Sequence, residues 1–291
     1  MRERKFAVIG GDMRQVKLAD LLALDGHAVS VFASDQARSE SAVLAPSLRD
    51  CVEGVDCIVL PLPLLKGCEQ INTPLSDTAL TVSELFSLLT PSQIICGGRV
   101  PLEMYDTVST HGLTLFDYFS REELVIANAA VTAEGAIGVA MEATPTALLG
   151  SSALVLGFGR IGKLLALRLR ALGVHVTVAA RSFSDLAWIA AYGYTAIHMD
   201  ALDEHLSGYS ILFNTAPHLL LDARRLALLD PATLCIDLAS KPGGINFSAA
   251  ASLGISTIWA LGLPGKVAPR TSAAIIRDTI YNILSEQETI L

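Results

Sequence analysis

Apolar residues recur along this chain in two alternating patterns, short unbroken runs and longer stretches with helical spacing. The first run, Phe6-Ala7-Val8-Ile9 before Gly10-Gly11, is followed by Val16, Leu18, Leu21, Leu22 and Leu24 at helical intervals, closed by Gly26. A second run covers 27–32, and further strand-like runs fall at 57–60, 93–96 and 113–116, with helical patterns at 82–89 and 102–109. Uninterrupted apolar strands alternating with helices predict a parallel sheet buried on both faces. The second half repeats the scheme. A run at 154–156 leads to Ile161, Leu164, Leu165, Leu167, Leu169 and Leu172, closed by Gly173, and runs follow at 174–178, 196–198, 210–213, 233–236 and 256–259.

Two helical segments are expected between the halves, one opened by the capping-box spacing Ser120-x-x-Glu123 and one over 132–142 ahead of Pro145. A closing helix is expected over 271–284. The fold class is therefore α/β, with two doubly wound, parallel-sheet (Rossmann-like) lobes, connecting helices, and a C-terminal helix returning to the first lobe. The expected division is a flavodoxin-like substrate lobe at 1–130, a connection at 131–149, a dinucleotide-binding domain at 150–265 and the returning helix at 266–291.

Composition narrows the class. The 291 residues are 52% hydrophobic and 17% charged, and the mean hydropathy of +0.49 raises the question of a membrane span. The uncharged run at 143–158 is broken by Pro145, Gly150, Ser151 and Ser152, too interrupted to cross a bilayer. Buried strands account for the hydropathy instead, and no membrane association is expected. The opening Met1-Arg2-Glu3-Arg4-Lys5-Phe6 has no apolar signal region, so a cytoplasmic place is expected. A net charge of -8 argues against nucleic acid as a partner. Five cysteines, Cys51, Cys57, Cys68, Cys96 and Cys235, include no C-x-x-C pair and read as reduced thiols, with no metal site.

Candidate chemistry starts at Gly157-Phe158-Gly159-Arg160-Ile161-Gly162, a G-x-G-x-x-G between a strand and a helix. Gly157 suits the tight turn, Gly159 lets a pyrophosphate approach the backbone, and Gly162 allows close helix packing. The helix N-terminus then meets phosphate. At the end of the next strand, where an acid would select NAD, stand Arg181 and Ser182; a guanidinium there favours NADP, with NAD possible. Gly10-Gly11-Asp12-Met13-Arg14 in the first half lacks this spacing.

Ligands of open α/β sheets lie beyond the carboxyl ends of the strands. That rule selects three loops of the second half. Asn214, Thr215, Ala216 and Pro217 are candidates for the ribose or carboxamide, and Asp237 and Ser240 for the nicotinamide side. Lys241 and Lys266 are the candidate catalytic cations. Arg270, with Arg14 and Arg99 of the first half, are candidates for holding a carboxylate substrate. The lone histidines His198 and His218 receive no role.

The overall layout resembles the D-2-hydroxyacid and formate dehydrogenases. In that family a Pro-His pair supplies the acid/base, but here the place reads Pro264-Gly265-Lys266, so proton transfer to a hydroxyl lacks its imidazole. The chain more specifically resembles the dipicolinate synthase A-subunit family. The resemblance rests on 9–15 (Ile-Gly-Gly-Asp-Met-Arg-Gln), Leu60-Pro61-Leu62-Pro63, 132–137, 155–160, 236–244 (Ile-Asp-Leu-Ala-Ser-Lys-Pro-Gly-Gly) and 261–269. It implies an NAD(P)-dependent oxidoreductase acting on CH–CH bonds of a dihydrodipicolinate-type dicarboxylate during sporulation. It also implies a flavoprotein-like B subunit, an oligomeric assembly and the cytoplasm of a mother cell. An NADP-linked reductase of another small carboxylic acid and a non-catalytic nucleotide-binding scaffold remain open alternatives.

Overall fold

Each half of the chain closes around a six-stranded parallel sheet, and the two sheets share one strand order. The computed structural model describes residues 2–290. It divides into two units, Met1–Asn128 with Ala268–Leu291, and Ala129–Val267. The first sheet contains β1 (Lys5–Ile9), β2 (Ala28–Phe32), β3 (Val43–Leu44), β4 (Cys57–Val59), β5 (Ile94–Gly97) and β6 (Thr114–Asp117), in the order β3-β2-β1-β4-β5-β6. Its five longer strands follow the flavodoxin order, and two-residue β3 extends one edge. The second contains β7 (Ser152–Leu156), β8 (His175–Ala180), β9 (Thr195–His198), β10 (Ile211–Asn214), β11 (Leu234–Asp237) and β12 (Ser256–Trp259), ordered β9-β8-β7-β10-β11-β12. That is the dinucleotide-domain order, with the switch point between β7 and β10.

Strand alternation explains the unbroken apolar runs. In β1, Ala7 and Ile9 enter one core with Ile58, Leu60, Ile95 and Leu85. Phe6 and Val8 enter the opposite core with Val29, Val59 and Cys96. In β7, Ala153 and Val155 face a core shared with Leu165 and Leu169, while Leu154 and Leu156 face Ile197, Leu212 and Leu226. Apolar side chains on both faces of each strand are what a sheet covered by two helical layers requires.

Two departures from sequence expectation bear on how the elements are joined. The connection is one helix, α2 (Glu122–Ala143, after α1, Met13–Leu24), rather than two segments. No glycine or proline interrupts 122–134, and Ala127, Ala129 and Ala130 favour helix there. Ser120 lies in a 3-10 turn, where its hydroxyl donates to the Asp117 carbonyl. By length and composition α2 could cross a membrane (hydropathy 1.6), and half of its apolar window is buried in protein. Leu124 packs in the first unit, and Ala133, Ala136 and Ala140 are fully buried in the second. The second departure is a short antiparallel hairpin, Leu65–Lys66 with Gln70–Ile71, which has no apolar run to announce it.

In the second unit α3 (Arg160–Ala171) and α4 (Phe183–Ala191) follow β7 and β8. The closing helix, α5 (Pro269–Ile290), belongs to the first unit. Ala273, Ile276, Ile280, Ile283 and Leu284 complete its core beside Leu18 and Leu22 of α1. Arg121 pairs with Glu286 at 2.6 Å, Arg277 with Asp25 at 3.2 Å, and the Tyr281 hydroxyl donates to Asp25 at 2.9 Å. Four cysteines are buried and free, and Cys68 is exposed. Burial pushes the Cys235 thiol up to about 12.

Two outcomes follow for the first unit. Ile280→Ala should cost about 2–5 kcal/mol in urea unfolding, because Ile280 is wholly buried in the core that α5 shares with α1. His27 lies beneath Tyr281, its ring 5.1 Å from that of Phe6, and burial lowers its pKa. The unfolded chain therefore binds the proton more readily, and stability should fall as pH drops below about 6.5. Chemical denaturation of His27→Gln between pH 5 and 8 should show a weaker dependence on pH than wild type.

Candidate functional site

The turn after β7 is built by the absence of side chains. Gly157 has φ 101°, and a Cβ on it would lie 2.5 Å from Thr215 Oγ1. A Cβ on Gly162 would run into the Gly157 carbonyl. Around Gly159 the opposite holds, for nothing lies within 4 Å of where its Cβ would be. Gly159 is also the N-cap of α3, with no side-chain cap and no acid in the first turn. The start of a 12-residue helix thus offers backbone N–H groups and the positive dipole end to open space. These residues fit a pyrophosphate. Phe158 is buried beneath Lys163, whose ammonium stands 5.3 Å from its ring centroid. Arg160 is exposed, and Ile161 packs on the core.

Arg181 stands exposed just after β8 with no side-chain partner among the described residues. Its carbonyl is 3.0 Å from His198 Nε2 on the adjacent strand. Ser182 is the N-cap of α4. Its hydroxyl accepts from the Asp185 N–H and lies 2.8 Å from the Asp185 carboxylate, so capping occupies the group expected at the coenzyme.

Asn214 and Asp237, expected to face the nicotinamide, are fully buried and turned inward. They sit opposite each other on β10 and β11. Asp237 Oδ1 accepts from Asn214 Nδ2 at 2.8 Å and from the Ala239 N–H at 3.0 Å; Oδ2 accepts from the Gly244 N–H at 2.7 Å. Asn214 also donates to the Ala216 carbonyl and accepts from the Ala216 N–H. With these polar atoms so engaged, both residues shape the loops rather than present groups to a ligand. A Cβ on Gly244 would overlap the Asn214 amide, which leaves only glycine room there. Trp259 Nε1 donates to the Ala239 carbonyl, tying down the same loop. Ser240 and Lys241 stand exposed at its tip, and the Lys241–Pro242 bond is cis. Thr215 likewise turns inward, its hydroxyl donating to the Leu156 carbonyl, while Ala216 is buried and Pro217 exposed. Lys266 is exposed on the short helix Leu263–Val267, and His218 is exposed after β10.

In the first unit Arg14 is held by its neighbours. Nε and Nη2 bond the Asp12 carboxylate, and Nη2 also donates to the Leu62 carbonyl at 2.6 Å. Arg99 is exposed in the loop after β5. Arg270 is exposed at the start of α5. Among the described residues no group of His, Cys, Asp or Glu is arranged to hold a metal ion.

Residues 5–119 match the N-terminal domain of the dipicolinate synthase A subunit, and residues 123–240 the D-isomer specific 2-hydroxyacid dehydrogenase, NAD binding domain. The chain is 32% identical to the dipicolinate synthase A subunit of Bacillus subtilis (strain 168), across 97% of this chain and 96% of that protein. This chain belongs to the dipicolinate synthase A-subunit family. The crystal structure of the Bacillus subtilis protein superposes with a TM-score of 0.88 at 31% identity, covering 100% of this chain and 99% of that one. The corresponding protein from Bacillus halodurans gives 0.86 at 30% identity, covering 97% of each. The match at 123–240 makes the second unit a nicotinamide-dinucleotide domain of the dehydrogenase type.

Sequence reasoning passed over Asp117 and His198, which organise the backbone at Arg99 and Arg181. Both end a strand, the position that had selected the other loops. The fingerprint itself yields a contrast. Gly159→Ala should keep the thermal midpoint and weaken coenzyme binding by ~10-fold or more, since the new methyl fills the phosphate approach. Gly162→Ala should lower the midpoint outright, by overpacking worth about 1–3 kcal/mol. Calorimetric titration with NADPH beside thermal unfolding checks both.

Proposed function

We propose that this chain is the oxidoreductase subunit of a dipicolinate synthase, converting a dihydrodipicolinate-type dicarboxylate to dipicolinate with NADP in preference to NAD. The observation that carries the reading is the open, side-chain-free N-terminus of α3 in a chain that matches the A-subunit family over nearly its whole length. A bound nicotinamide supplies the hydride acceptor. The residues of the chain have a narrower task. Aromatisation of the ring favours loss of the accompanying proton, so orienting the substrate matters more than a strong base. Lys241 and Lys266 are our candidates beside the reacting ring, and Arg99 and Arg270 for its carboxylates, Arg14 being held by Asp12 and Leu62. Arg181 reads the 2′-phosphate.

The absence of an imidazole at Pro264-Gly265-Lys266 is consistent with oxidation of a C–H bond that needs no hydroxyl deprotonated. The family name further points to a B subunit, which we take to be flavoprotein-like, in an assembly placed in the mother-cell cytoplasm of a sporulating bacterium. A second reading, a nucleotide-binding scaffold whose partner does the chemistry, draws on the inward turn of Asn214 and Asp237.

Purified chain supplied with dihydrodipicolinate and NADP should produce the reduced-nicotinamide absorbance, and should do so faster than with any of a panel of 2-hydroxy acids. Coenzyme binding without turnover would move the assignment to the scaffold. In the same assay Arg181→Asp should raise the KM for NADP by ~10-fold or more while leaving that for NAD within about threefold. Equal losses for both coenzymes would remove Arg181 from the discrimination.

A further inference from the structure

The loop after β5 holds a charged residue in a conformation suited to glycine. Arg99 has φ 58° and is, with Ala33, one of two non-glycine residues at positive φ among those described. Long L side chains avoid this region because Cβ crowds the backbone. Such strain persists only where surrounding structure fixes it, and it collects where a side chain must be aimed.

The restraints here are specific. Asp117, the last residue of β6, accepts from the Arg99 N–H at 2.9 Å through Oδ1 and from the Val100 N–H at 3.0 Å through Oδ2. Oδ1 also accepts from the Phe119 N–H at 2.7 Å. The preceding residue has no slack, since Gly98 donates to the Pro61 carbonyl and accepts from the Leu64 N–H. A Cβ on Gly98 would lie 2.6 Å from the Tyr118 ring. That ring is wholly buried, its hydroxyl donating to the Leu60 carbonyl.

Turn geometry alone would be met more easily by glycine or asparagine at position 99. The chain keeps a guanidinium instead. That guanidinium is exposed and has no acceptor among the described residues, while Arg14, in the first turn of α1, is bound to Asp12 and Leu62. Carboxyl ends of parallel strands are where ligands of such sheets bind. We infer that Arg99 is the first unit's receptor for one carboxylate of the substrate and that Asp117 is the positioning residue that aims it. This rests on the dicarboxylate reading above and deepens it.

The test titrates pyridine-2,6-dicarboxylate into the full chain saturated with NADPH, with urea unfolding run in parallel. Arg99→Gly should raise the unfolding midpoint, because the strain is relieved, and should weaken dicarboxylate binding at least tenfold. Arg99→Lys should fall between. Asp117→Asn should weaken binding in the wild-type background yet add nothing further when Arg99 is already glycine, the non-additivity expected of one residue acting through another. A loss from Asp117→Asn of equal size in both backgrounds would make it merely structural and overturn its assignment. Tight binding by Arg99→Gly, or a lowered midpoint for it, would overturn the inference while leaving the dicarboxylate reading standing. A wild-type chain that binds NADPH but not pyridine-2,6-dicarboxylate would remove both.

Discussion

Buried and half-buried carboxylates at strand ends organise both candidate ligand faces. Asp237 gathers an amide and two backbone N–H groups from three points of the second unit, joining the ends of β10 and β11 to the loop that carries Lys241. Asp117 does the corresponding work in the first unit with three backbone N–H groups. An acceptor-only group removed from water is tolerable when donors meet its oxygens, and it then fixes those donors closely. Loops held this way need little secondary structure of their own. The exposed cations at their tips, Lys241 and Arg99, inherit that order without contributing to it.

Much of the architecture was legible because burial on both faces of a parallel strand leaves an unbroken apolar run. The runs at 57–60 and 210–213 carried that mark, and the glycine spacing at Gly157, Gly159 and Gly162 named the one turn where backbone had to be bare. What escaped was local or directional. Val43–Leu44 pairs with β2 while remaining exposed, so no pattern distinguished it from loop. The join across 122–143 carries a capping-box spacing at Ser120 that predicts a separate helix start, but Ser120 sits in a 3-10 turn and one helix runs from Glu122 to Ala143.

Direction was the harder problem at the site. Position along the chain told that Asn214, Thr215, Ser182 and Asp237 stand at strand ends, and they do. Whether a short polar side chain there turns outward to a ligand or back to its own loop depends on the hydrogen-bonding partners within reach. While Ser182 finds Asp185 three residues on, Thr215 meets the Leu156 carbonyl and Asn214 the Asp237 carboxylate, both distant in sequence. Gly244, which donates to Asp237, is conspicuous only once the Asn214 amide is seen beside it. Long cations behave otherwise. Lys241, Lys266 and Arg181 project into solvent, whereas Arg14 is captured by an aspartate two residues before it.

The discontinuity of the first unit has a bearing on how the polypeptide is made. Its last helix, which contributes Ile276, Ile280 and Ile283 to the core over α1, is encoded after the entire second unit. Ribosomal synthesis therefore delivers the dinucleotide domain whole while its predecessor still lacks a wall, and the nascent amino-terminal part must carry exposed apolar surface until the final turns emerge. Order of maturation thus runs against order of translation.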